Sequence, residues 1–99
     1  MPKTFAVNAA IQIIPIKTTE PLPFIDEAIA LIESKGLQYD VGPFSTSIEG
    51  DLDTIFELVE AIRTKLFEKG LDEFLVNLQI QFDRQKPVLA HSKTEKFKK

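Results

Sequence analysis

The sequence predicts an α+β sandwich of βαββαβ order: two segments carry apolar residues at helical spacing, four alternate or crowd them at strand spacing, and turn formers separate all six. The first strand spans Phe5 to Ile16, with Phe5, Val7, Ala9, Ile11 and Ile13 on one parity and Ala6, Asn8, Ala10, Gln12 and Ile14 on the other. Apolar residues on both parities mean that both faces are at least partly covered. Pro15, Pro21 and Pro23 then punctuate a loop, and a helix begins near Pro23 or Phe24.

Ile25, Ala28, Ile29 and Ile32 place one apolar stripe on that helix, which runs to about Lys35 and stops at Gly36. Leu37, Tyr39 and Val41 alternate with Gln38 and Asp40 in a short second strand that ends at Gly42-Pro43. The third strand covers Phe44 to Glu49, and Gly50-Asp51 breaks it. Asp51 or Asp53 is placed to cap the next helix by accepting from free backbone N–H groups. That helix carries Leu52, Ile55, Phe56, Val59, Ile62, Leu66 and Phe67 as a stripe reaching Gly70, and the fourth strand alternates from Phe74 to Phe82.

This order fits a ferredoxin-like sandwich: a four-stranded antiparallel sheet of split βαβ type with both helices on one face. The other face would expose Asn8, Ala10, Gln12, Ile14, Leu75, Asn77 and Gln79, a mixture too apolar for water alone and too polar for a core. Packing of sheet on sheet between copies would cover it. The domain is expected over residues 1–85, with residues 86–99 a basic, mobile tail bearing Lys86, Lys93, Lys96, Lys98 and Lys99.

Composition narrows the function classes. A chain of 99 residues with 43% hydrophobic and 27% charged residues is globular and has one core. A net charge of −3 and a pI near 5.1 give no overall attraction to nucleic acid or to an anionic membrane. Cysteine is absent, which removes thiolate nucleophiles, disulfides and Cys-based zinc sites. No apolar run approaches the ~20 residues of a membrane span, and Met-Pro-Lys-Thr-Phe lacks a signal-like apolar region, so the expected location is cytoplasmic.

Catalysis is not expected. The single histidine, His91, falls in the tail, so a Ser-His-Asp arrangement would need that tail to dock, and a site of several histidines is impossible. Glu49, Asp51 and Asp53 cluster at a strand-to-helix turn, where capping and the helix dipole account for the two aspartates. Glu49 ends a strand and is placed to face a cleft. A hydrolase or isomerase working through Glu49 or Asp83 is the minor reading.

The unusual feature is Ser45-Thr46-Ser47 in a strand expected at the centre of the sheet, where apolar residues are the norm. In the split βαβ arrangement this strand is expected beside the first and parallel to it, which puts Phe44 and Ser45 near Phe5 to Asn8 and near Phe82, Asp83 and Arg84. Hydroxyls, an amide, a carboxylate and aromatic rings would then converge as in a small-ligand pocket. Equally, the hydroxyls can bond neighbouring strands, and Asp83-Arg84 can be a surface ion pair. The residues alone leave both readings open.

The segment Val41-Gly-Pro-Phe-Ser-Thr-Ser-Ile-Glu-Gly-Asp-Leu-Asp53 resembles the signature of a family of small thiamine-binding proteins with ferredoxin-like domains. Ile11-Gln-Ile-Ile-Pro-Ile16, Gly36-Leu-Gln-Tyr39 and Ile80-Gln-Phe-Asp-Arg84 are similar to its other landmarks, so the resemblance covers about residues 5 to 84. The Lys-rich tail departs from it: many members continue into a longer helix.

The resemblance implies a homo-oligomer, commonly a tetramer built by sheet packing, that binds thiamine or its hydroxymethylpyrimidine moiety without catalysis, metal or required cofactor. The ligand-binding residues carried over by motif are Ser45, Thr46, Ser47 and Glu49; Phe44 is added as a stacking ring, and Asn8 and Asp83 from the strand geometry above. A thiazolium cation suits a carboxylate and aromatic faces, and an aminopyrimidine suits donors and acceptors at fixed spacing. With Arg84 the only arginine near, the unphosphorylated ligand is favoured. The alternative is a regulatory oligomer in which the same ligand signals to a partner protein through the helices or the tail.

Overall fold

β1 (Val7–Ile16), α1 (Leu22–Ser34), β2 (Gln38–Val41), β3 (Thr46–Gly50), α2 (Leu52–Glu68) and β4 (Glu73–Gln81) follow one another as expected in the computed structural model, which describes residues 6–84. The strands form one antiparallel sheet in the order β2-β3-β1-β4, a ferredoxin-like α+β sandwich. The expectations for Phe5, for His91 and for the 86–99 tail lie outside the described residues. Among the described residues no helix is long and apolar enough to cross a membrane.

One expectation is overturned. β3 runs antiparallel to β1, with Val7 opposite Gly50 and Ile11 opposite Thr46. The reason lies in the connections: a crossover helix joins β1 to a parallel β2, and the β2–β3 turn reverses the chain, so the strand inserted between them opposes both. The start of β3 therefore sits at the far end of β1, near Gln12 and Asn77, and its end meets Asn8 and Gln81.

Alternation along each strand separates two faces. Val7, Ala9 and Ile11 of β1, with Ile48 of β3, meet Ala28 and Ile32 of α1 and Ile55, Leu58, Ile62 and Leu66 of α2 in one core. Phe74, Val76, Leu78 and Ile80 close it from β4, while Leu75, Asn77, Gln79 and Gln81 face the other way and are exposed. The buried stripe of α2 is narrower than its sequence suggested. Leu58 belongs to it, whereas Phe56 and Phe67 lie half exposed on its flank. Phe67 packs instead on Phe74, ring centroids 5.4 Å apart and inclined at 59°.

Local chemistry sets the helix ends. The carboxylate of Asp51 accepts from the backbone N–H of Thr54 at 3.2 Å, capping α2, while Asp53 occupies its first turn. At the other end Gly70 adopts φ +97°; Leu71 N–H donates to the Leu66 carbonyl and Gly70 N–H to that of Phe67, both at 3.0 Å. This is a Schellman ending, completed by the buried contact partners Leu66 and Leu71. Gly70→Ala is expected to cost about 1–2 kcal/mol, because an L side chain opposes that left-handed backbone; urea denaturation reads it. An ion pair of 3.5 Å between Lys69 and Glu27 links the helices.

Candidate functional site

The open face of the sheet is built in cross-strand rows. Glu49 stands opposite both Gln38 and Asn8, which faces Gln81; Ser47 stands opposite Asp40 and Ala10, which faces Gln79; Gln12 faces Asn77, and Ile14 faces Leu75. Side chains in one row share a face, so the polar groups of β3 that point away from the core are Ser47 and Glu49. Ile48 between them is 1% exposed in the core.

A hollow of about 100 Å³ opens at the β1–β3–β2 end, lined by Asn8, Gln38, Asp40, Ser47 and Glu49 with Tyr39 and Ile48 between them. Asn8 forms part of its wall: it is 9% exposed, and its Nδ2 donates to the Ile48 carbonyl at 3.4 Å, tying β1 to β3. Among the described residues no hydrogen bond or ion pair engages the side chains of Asp40, Ser47 or Glu49. Among the described residues two carboxylates and no lysine or arginine line this hollow, so its field favours a cation.

A wider hollow of about 400 Å³ lies further along the same face, lined by Ala10, Gln12, Phe44, Ser45, Asn77, Leu78 and Gln79. Asn77 Nδ2 donates to Gln12 Oε1 at 3.1 Å, which fixes both amide planes. The ring of Phe44 stands 82% exposed beside it. Ala10, which lines this hollow, stands directly opposite Ser47, which lines the smaller one.

The structure thus brings together Asn8, Ser47 and Glu49 in one hollow, and Phe44 and Ser45 in the other. Thr46 lies on the opposite face, buried at 8% exposure, because strand alternation turns it away from its two serine neighbours. Asp83 lies just past the end of β4, exposed, near the Asn8 end of the sheet but in neither lining. Phe82 is 63% exposed and also past the strand. The reversed direction of β3 explains both outcomes: it carries Ser45 away from Asp83. Gln38 and Asp40 were missed as site residues. Their shared parity in β2 was visible, but only the hairpin register places them opposite Glu49 and Ser47.

Comparison with known proteins adds a family. The family model described as thiamine-binding protein matches residues 9–98. The UPF0045 protein YqgV of Bacillus subtilis is 31% identical over 97 residues, covering 92% of this chain and 93% of its own. Protein TM0486 of Thermotoga maritima, provisionally ascribed to thiamine biosynthesis or salvage, superposes with a TM-score of 0.82 at 29% identity over 94% of this chain and 99% of its own. A domain of unknown function, DUF77, from Bacillus cereus shares the fold, with a TM-score of 0.85 at 24% identity over 95% of this chain and 91% of its own.

Proposed function

Since the chain belongs to the thiamine-binding protein family, we propose that it binds thiamine, or its hydroxymethylpyrimidine half, on the open face of its sheet, as a carrier or store and not as a catalyst. The observation that carries the reading is the grouping of Ser47, Glu49 and Asp40 around one hollow with their side chains unengaged by any described residue. The thiazolium rests against the carboxylates, where its charge is matched. The aminopyrimidine reaches over Ala10 and Ser47 into the wider hollow, within range of Ser45, Gln12 and Gln79 and the face of Phe44.

Among the described residues neither hollow is lined by lysine or arginine, so a phosphate ester would meet repulsion from Glu49 and Asp40. The unphosphorylated form is therefore preferred. A second copy laid sheet on sheet would close both hollows and cover Leu75, 53% exposed and opposite Ile14, which makes a sheet-packed tetramer in the cytoplasm the working assembly.

Calorimetric titration tests this. Thiamine is expected to bind more tightly than thiamine diphosphate, and Ser47→Ala to weaken thiamine by about 0.5–1.5 kcal/mol for one lost neutral hydrogen bond. Tighter binding of the diphosphate, with Ser47→Ala unaltered, would contradict the proposal.

A further inference from the structure

On the helix side of the sheet, a separate cavity of about 280 Å³ lies between α1 and the β2–β3 turn. Ile25, Ala28 and Ile29 of α1 form one wall, Ile11 and Ile13 of β1 the floor, and Val41 to Thr46 the end. None of the described residues that line it is charged. The turn that closes it is held by a 2.9 Å hydrogen bond from Gly42 N–H to the Ser45 carbonyl. A Cβ on Gly42 would stand 2.9 Å from that same carbonyl oxygen, so the close approach requires glycine there.

Thr46 is the informative residue. It sits between Val41 and Ile11 on the core side of the sheet, is 8% exposed, and lines this cavity. Although the residue as a whole is buried, its hydroxyl is accessible, so a molecule in the hollow can supply the partner such a group ordinarily finds. Among the described residues no hydrogen bond engages the Thr46 side chain, and its hydroxyl is not sealed from the cavity. An uncharged, largely apolar hollow of ligand size, into which the Thr46 hydroxyl opens without a described protein partner, has the composition of a small-molecule site.

We propose that this cavity is a second binding site, distinct from the one on the open face, and that it takes a neutral ring-sized molecule with one hydrogen-bonding group directed at Thr46 Oγ1. Charge is selected against because no lining group can compensate a desolvated ion. The two sites lie on opposite faces and share only the rim residues Gln12, Phe44 and Ser45.

The test is an amide NMR titration of the full chain with benzyl alcohol and with its charged isosteres benzylammonium and benzoate. Benzyl alcohol is expected to give saturable shifts at Ile29, Val41 and Thr46, with both ions at least about tenfold weaker. Thr46→Val should weaken benzyl alcohol about two- to tenfold while preserving the fold, and Ile29→Trp, which fills the cavity mouth, should abolish the shifts. Should Ile29→Trp unfold, the Thr46→Val comparison stands by itself. Saturating thiamine should leave benzyl alcohol binding in place. Equal binding of the ions, no saturable shift at Thr46, unchanged affinity in Thr46→Val, or competition by thiamine would each overturn the assignment.

Discussion

Glu49→Gln is expected to lower thiamine affinity by about 1.5–3 kcal/mol, roughly 10- to 150-fold, the range for a charged interaction lost while shape is kept. The substitution preserves the side-chain volume and leaves acceptor and donor atoms beside Gln38 and Asn8, so the sheet should be unaffected. Its effect should also depend on salt. Glu49 sits on an open surface, and a screened attraction contributes less as ionic strength rises, so the gap between wild type and variant should narrow in calorimetry at high salt. Asp40 shares the hollow, and its variant Asp40→Asn should act in the same direction; the double variant should fall short of the sum, since both carboxylates attract one charge.

Leu58→Ala is expected to be the most damaging conservative change to the fold, at about 2–5 kcal/mol. Leu58 is fully buried with Ile55, Ile62 and Leu66, where α2 meets both α1 and the sheet. The truncation loses burial and leaves a void that the flanking elements fill only in part. In a domain with about 5–15 kcal/mol in total, this is a large fraction, and at about 4–8 °C per kcal/mol the melting temperature should fall by roughly 8–40 °C. The measurement belongs at fixed protein concentration, since any assembly adds stability by mass action. Phe56→Ala, on the half-exposed flank of the same helix, should cost much less, which separates burial from helix propensity.

Element order, helix ends and the two-faced sheet were legible in the sequence because each rests on local signals: the 3.6-residue stripe ending at Gly70, the Asp51 cap, and the strict alternation from Phe74 to Ile80. Leu58 shows the limit of such signals. A stripe wide enough to include Phe56, Val59 and Phe67 does not say which part faces inward, and the packing of α2 against α1 and the sheet decided it. The site was legible in kind and only partly in place. Ser47 and Glu49 do line a hollow, but Thr46 had to point the other way once its neighbours were assigned to the open face. The direction of β3 relative to β1 is a property of the crossover and not of any local segment, and getting it reversed paired Ser45 with Asp83 instead of with Gln12 and Asn77.

The most direct measurement of where the ligand sits is a set of intermolecular NMR Overhauser contacts between thiamine protons and assigned protein protons. Contacts to the Ala10 methyl and the Ser47 and Gln79 side chains are expected, on the face where these residues are neighbours. Contacts confined to the methyls of Ile25, Ile29 and Thr46, or to the outer surface of α2, would contradict the account.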